Sequence, residues 1–253
     1  MKNNISPKKK VAIVLKGAVS TTGGVIREYV KDNNKYVNYS IVKNSINEYI
    51  TKPNSTEYDF DFFIHCWNTD LEEDLCKLYN PVDHIFEKNE PILRPYEKYK
   101  DHAMRQISQA YAIKRGIELV ESTNIKYDQI IIYRPDVMLW KVMDLAKYNP
   151  SKIYVNAHQQ HPSGGDFHFV MNMKNANSFK NLVDSVETNP PQVHRWIRNY
   201  VLNFMKEDLI MDEIVPPLHQ EVLRKIIKEK NFIGKYLTNE HLNKMNLKIE
   251  DFK

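Results

Sequence analysis

The sequence is short of the residues that mark several large classes of protein. Its two cysteines, Cys66 and Cys76, form no CxxC pair and no zinc-type array with histidine. A disulfide framework is therefore not expected, and a reducing compartment is the simplest fit. Seven glycines and twelve prolines in 253 residues argue against a repetitive or low-complexity chain. No stretch approaches the ~18–20 apolar residues that cross a bilayer. The first apolar run, Val11 to Leu15, stops at Lys16, so no secretion leader is expected. Neither G-x-G-x-x-G nor G-x-x-x-x-G-K-[ST] occurs, which leaves the dinucleotide fingerprint and the Walker loop unsupported. Gly23-Gly24 is a weak signal that reads as a flexible loop.

Neither sign of charge dominates. The net charge of +4 is mildly basic. It suits a phosphate-bearing ligand but is too dispersed for nucleic acid. The densest run, Lys8-Lys9-Lys10, reads as part of a solvated tail over residues 1–9. A cytoplasmic protein is expected, with peripheral membrane contact as its only route to a lipid.

What is present is an alternation of strands and helices. "KVAIVLKG" is a buried strand ended by Gly17. Val37, Ile41, Ile46 and Tyr49 then step at helical spacing. "YDFDFFIHCWN" is a second strand and "DHIFEKN" a third. Between about 103 and 121, Met104, Ile107, Ala110, Ile113, Ile117 and Val120 fall on one helical face. "YDQIIIYRPDVMLW" reads as one further strand, continuous in its apolar residues as for a strand covered on both faces. "KIYVNAH" and "DFHFVMN" follow as strands. Helices are expected over 175–186, 192–206 and 218–230. The pattern predicts one α/β domain over 10–253, with a mixed, mostly parallel central sheet flanked by helices. Residues 190–253 form a helical C-terminal extension packed on it, or lying on a membrane through its lysines, among them Lys225, Lys228, Lys230 and Lys235.

In open α/β sheets ligands collect beyond the carboxyl ends of the strands. Three predicted ends carry unusual residues: Lys16-Gly17-Ala18, His65-Cys66-Trp67-Asn68 and Arg134-Pro135-Asp136. Parallel strands bring all three to one edge. Gly17 either admits a close ligand or simply ends the strand. Trp67 either stacks on a base or packs as core, and His65 is either a structural histidine or a ligand. A carboxylate at the end of a dry strand needs a cation or donors. Asp136 therefore forms a structural pair with Arg134, or holds a divalent ion while Arg134 contacts phosphate. In "HPSGGDFHF", Gly164-Gly165 offers backbone N–H groups to an anion or a sugar hydroxyl. Asp166 and His168 alternate with Phe167 and Phe169, which predicts one shared face.

The ordered set "LKGAVS", "FDFFIHCWN", "ISQAYAIKRGIELV", "YDQIIIYRPDVMLW" and "GGDFHFVM" resembles the GT-A-type glycosyltransferases. The likeness is to the small sugar transferases of bacterial capsule and lipopolysaccharide loci and of large DNA viruses, and it covers about 10–185. The resemblance implies a nucleotide-sugar donor and a glycan or glycolipid acceptor. It places Leu15, Lys16, Gly17 and Ala18 around the nucleotide and His65, Trp67 and Asn68 near its base or ribose. The helix with Ser108, Gln109 and Tyr111 borders the donor. "RPD" occupies the place of the family's metal-binding D-x-D, with Arg134 where the first carboxylate belongs. That leaves Asp136 as the metal residue for Mn²⁺ or Mg²⁺, with Arg134 on the phosphates. "GGD" resembles the acceptor segment, so Gly164, Gly165 and His168 are expected to bind acceptor. Asp166 is expected to be the general base, with Asp212 or Glu213 in reserve. A non-catalytic binding module and a nucleotidyltransferase are the alternatives.

Overall fold

The structure, a computed structural model, describes residues 7–19, 36–99, 101–156, 165–191, 195–229 and 232–252. Gly164, the Gly23-Gly24 loop and Lys230 lie outside the described residues, as does the side chain of Lys228.

Among the described residues nine strands form two sheets. The large one contains β1 (Lys9–Gly17), β2 (Tyr58–Cys66), β3 (Asp83–Phe86), β4 (Gln129–Tyr133), β6 (Ile153–Asn156), β7 (His168–Met171) and β8 (Leu209–Asp212), in the order β3-β2-β1-β4-β7-β6-β8. Strand β1 runs parallel to β2 and β4, and β2 parallel to β3. β7 is antiparallel to both neighbours, while β6 and β8 are parallel. The sheet is thus mixed and mostly parallel, as the alternation of elements predicts.

Each face carries its own core. Ala12, Val14, Phe63, Ile130, Ile132 and Phe169 pack beneath the long helix Asp101–Ser122, joined by Ile107, Ala110, Ile113 and Ile117. A Cβ on Gly116 would lie 2.3 Å from Val14 Cγ1, so the helix crosses β1 at backbone distance. On the opposite face Ile13, Leu15, Ile131, Tyr133 and Val170 meet the helix Tyr39–Ile46 and the C-terminal residues Phe232, Leu237, Leu242 and Phe252. The C-terminal part therefore packs on the sheet domain. No helix among the described residues is long and apolar enough to cross a membrane.

Four expectations need correction. The stretch 127–140 is two strands: β4 ends at Tyr133, and β5 (Val137–Leu139) joins a second, two-stranded sheet with β9 (Gln220–Val222). Pro135 sits second in a turn closed by Val137 N–H on the Arg134 carbonyl at 3.3 Å, a position that suits the fixed φ of proline. The expected helix 218–230 begins only at Leu223, because Gln220–Val222 supplies the partner strand of β5. β8 escaped detection; its four residues are too few for a period to show. Lys9 belongs to β1, not to a tail, and pairs in register with Tyr58, beside Lys10 of the expected strand, which pairs with Asp59.

Candidate active site

Strands β1, β2 and β4 end side by side, with Lys16 opposite His65, Gly17 opposite Cys66 and Leu15 opposite Tyr133. The two loops that follow β1 and β2 are stitched together. Trp67 N–H donates to the Gly17 carbonyl at 3.1 Å, and Asn68 Oδ1 accepts Val19 N–H at 2.8 Å. Gly17 has φ +106, and an added Cβ there would meet no atom within 4 Å. Backbone conformation, not crowding, favours glycine. Leu15 points into the opposite core, and Ala18 is half-buried.

On the long-helix side of this edge four charges meet. Arg134 donates through Nε to Asp136 Oδ1 at 2.9 Å and through Nη2 to Asp136 Oδ2 at 2.7 Å. Its Nη1 reaches Asp166 Oδ2 at 2.8 Å. Gln109 Nε2, from the long helix, donates to the same Asp166 oxygen. The guanidinium lies over the Phe167 ring, 5.6 Å from its centroid. Its backbone N–H holds the Phe167 carbonyl at 3.0 Å, which ties the end of β4 to the turn before β7.

Lys16 completes the group. Its side chain is 1% exposed, and Nζ has no hydrogen-bond partner among the described residues. Burial pulls its pKa down to about 8, and the positive charge of Arg134 adds to the fall while Asp166 and Asp136 oppose it. Asp166 shows the converse balance. Burial pushes its carboxyl up, but Arg134, Lys16 and the Gln109 amide outweigh that and hold it at about 2. In this arrangement Asp166 is a firm anchor for cations and a weak base. Burial disfavours the charged form of Arg134, and the two aspartates more than restore it.

An aromatic wall flanks the charges. Trp67, half-buried, stacks on Tyr111 of the long helix with centroids 5.8 Å apart and planes at 28°. His65 packs edge-on against Trp67 at 4.5 Å. It is fully buried, with Nε2 2.9 Å from Glu87 Oε1, and Glu87 in turn lies 3.5 Å from Arg115 Nε. His65 thus supports Trp67 from behind. Glu87, just past the end of β3, and Arg115, on the long helix, were not singled out in the sequence, because their pairing with His65 joins residues far apart in the chain.

The "GGDFHF" turn differs from expectation. Strand β7 starts only at His168; residues 166 and 167 form a bend, so the alternation that predicts a shared face does not apply. Asp166 turns toward the long helix. His168 faces the other side, fully buried, with Nε2 2.7 Å from Asp212 Oδ2 and Nδ1 3.0 Å from Gln220 Oε1. Tyr148 donates to Asp212 at 2.7 Å, and the other Asp212 oxygen accepts Ile214 N–H. Neither His168 nor Asp212 reaches the charged cluster. Gly165 N–H is taken by the Asn156 carbonyl at 2.8 Å and is not free for a ligand. Asn156, buried at the end of β6, also accepts Phe167 N–H at 2.8 Å. It shapes the turn that carries Asp166, and a lone Asn at a strand end gave no reason to single it out.

A divalent ion at Asp136 is tested by its donor set. Oxygen-loving cations need several free oxygens. Both Asp136 oxygens accept from Arg134, and Asp166 gives one oxygen to Arg134 and Gln109 together. No group of three His, Cys, Asp or Glu side chains converges among the described residues. These residues do not fit a metal site as they stand.

Comparison of the sequence with models of protein families and with curated proteins gives no match. Solved structures similar to this chain include transferases. One is a glycosyltransferase involved in glycosylation of the major capsid of PBCV-1, at 11% identity and TM-score 0.40, covering 84% of this chain and 82% of that one. Another is the glycosyltransferase GlyE of Streptococcus pneumoniae, at 11% identity and TM-score 0.40. It covers 81% of this chain, which spans 46% of GlyE. A third is the CTP:phosphocholine cytidylyltransferase LicC of Streptococcus pneumoniae, at 11% identity and TM-score 0.43, covering 85% of this chain and 94% of that one. Likeness at this level carries no argument for activity; the architecture rests on strand order and the chemistry on the site.

Proposed function

We infer that the protein is a glycosyltransferase that moves a sugar from a nucleoside-diphosphate sugar to a hydroxyl of a glycan or related acceptor. One observation carries the reading. A buried lysine ammonium, without a hydrogen-bond partner among the described residues, stands beside a guanidinium where three parallel strand ends converge. An unpaired buried charge is costly, and an anionic ligand would relieve it. Lys16 offers three donors and Arg134 has N–H groups beyond those its aspartates use. A diphosphate matches that display, and the Trp67–Tyr111 surface beside it suits the flat face of a base.

In the transfer, the bond from the sugar's anomeric carbon to the diphosphate oxygen breaks and a bond to the acceptor oxygen forms. The diphosphate leaves with the bonding electron pair, and the acceptor's proton passes to a base. Lys16 and Arg134 stabilise the charge that grows on the leaving oxygen. Asp166 gains basicity once phosphate oxygens compete for Arg134 and Lys16, since those cations are what hold its carboxyl low. Donor binding then precedes activation of the acceptor. Gly165 and the turn that carries Asp166 border the acceptor side. The location proposed is cytoplasmic, with a glycan or glycolipid acceptor.

The test is donor turnover. The protein is incubated with UDP-, GDP-, CDP- and TDP-sugars, and release of free nucleotide is followed. Lys16→Met and Asp136→Asn serve as controls. Turnover of one donor, lost in both variants while they stay folded, supports the reading. Full activity in both variants overturns it. Pyrophosphate release from a nucleoside triphosphate and a sugar phosphate, without sugar transfer, assigns the site to nucleotidyl transfer instead.

A further inference from the structure

We propose that Lys16 and Arg134 together replace the divalent cation, so that the site binds its nucleoside diphosphate without a metal. This rests on the nucleotide reading above. The charge balance motivates it. Two carboxylates with one divalent ion sum to zero, and so do Asp136 and Asp166 with Lys16 and Arg134. The positions of the charges agree as well. A divalent ion held here would have to lie between these carboxylates and the phosphates. Arg134 bridges Asp136, in the turn after β4, to Asp166, in the turn before β7. It does so with a planar donor fork suited to carboxylate and phosphate oxygens alike.

Displacing Arg134 to admit a cation would be unfavourable. Its side chain is only 15% exposed, and it packs on Phe167. A released guanidinium would have to leave two carboxylates and find new partners in a largely buried setting. Lys16 supplies the second positive charge in the form a phosphate uses best, an ammonium with free donors. The arrangement is preorganised: Arg134 is held by protein carboxylates and Lys16 by its burial before any ligand arrives, so binding requires little rearrangement.

The experiment is titration calorimetry of the intact protein with uridine, guanosine, cytidine and thymidine diphosphates, once in excess EDTA and once with Mn²⁺. For whichever diphosphate binds, the expected dissociation constants in the two conditions agree within about threefold, a difference under ~0.7 kcal/mol. Loss of affinity by about tenfold or more in EDTA, with recovery on adding Mn²⁺, overturns the proposal. Binding in neither condition overturns the nucleotide reading and this inference with it. Binding in EDTA without sugar transfer removes the transferase reading and leaves this inference standing. Manganese resonance on the protein alone gives a second measure: the wild-type chain is expected to leave Mn²⁺ free. Arg134→Asp, which puts a second carboxylate in the 134–136 turn, is expected to capture Mn²⁺ and to bind the diphosphate only in its presence. If that variant fails to fold, the chelator comparison on the wild-type protein still decides.

Discussion

Two buried polar clusters lie on opposite faces of the same sheet, and they are built to different ends. In one, His168, Asp212, Tyr148 and Gln220 satisfy each other: both imidazole nitrogens and both carboxylate oxygens have partners. Gln220 also donates to the Val215 carbonyl at 3.2 Å, which fixes its oxygen toward His168. In the other, Arg134, Asp136, Asp166 and Gln109 are paired, but Lys16 is buried beside them without a hydrogen-bond partner among the described residues. The closed cluster joins β7, β8 and β9 and has nothing left to offer a ligand. The open one carries an unmet demand at the edge where strands end. Burial alone therefore does not separate the two clusters; the unmet charge at the converging edge does.

The largest expected effect separates the two clusters by stability. His168→Leu takes one partner from the buried Asp212 carboxylate and leaves Gln220 Oε1 without its own, and urea denaturation should show a loss of about 3 kcal/mol. Ligand affinity of the folded fraction should not change. An equal loss of nucleotide affinity would show that the clusters are coupled through β7.

Lys16→Met should act in the opposite direction. Removing a desolvated, unpartnered ammonium should raise stability by roughly 1–3 kcal/mol, while diphosphate affinity falls at least about tenfold. A destabilised variant with intact binding would remove Lys16 from the site.

A pH series sharpens the same contrast. The folded pKa of Lys16, about 8, lies below its ordinary 10.5. The unfolded chain holds that proton more tightly, so this residue's contribution to stability rises from pH 8 toward 10.5. Diphosphate affinity should fall across the same interval as the ammonium is lost. Asp212 behaves in the reverse sense. Burial pushes it up, but His168 and Tyr148 outweigh that and hold it below 3.8. Its contribution is present above the ordinary carboxylate range and is lost as pH falls through it. Thermal melts at several pH values, with and without nucleotide, read both effects.

The smallest expected effect is at the aromatic wall. Trp67→Ala should weaken nucleotide binding by ~1–3 kcal/mol, the scale of stacking a base on an aromatic ring. Binding of inorganic pyrophosphate should be unaffected. Equal losses for both ligands would place Trp67 in the scaffold rather than against a base.

The central sheet was legible because buried parallel strands write themselves as unbroken β-branched and aromatic runs, such as Ala12–Leu15 and Ile130–Ile132. The long helix was equally clear from its apolar step of three and four. The convergence of Lys16, His65 and Arg134 followed from parallel order alone, and the register pairs Lys16 with His65. What the chain could not announce depends on partners distant in sequence. β5 and β9 are three residues each, and each is a strand only because the other is there. Asp166 and His168, two residues apart, part to opposite faces because Asn156, from another strand, holds the turn between β6 and β7. The sequence by itself determined the long buried strands and which charges stand at their ends, since periodicity and composition are local properties. Only the tertiary structure decided which charges are satisfied, because a hydrogen bond needs two groups brought together from far along the chain. On that count Lys16 has no partner among the described residues, and His168 has two.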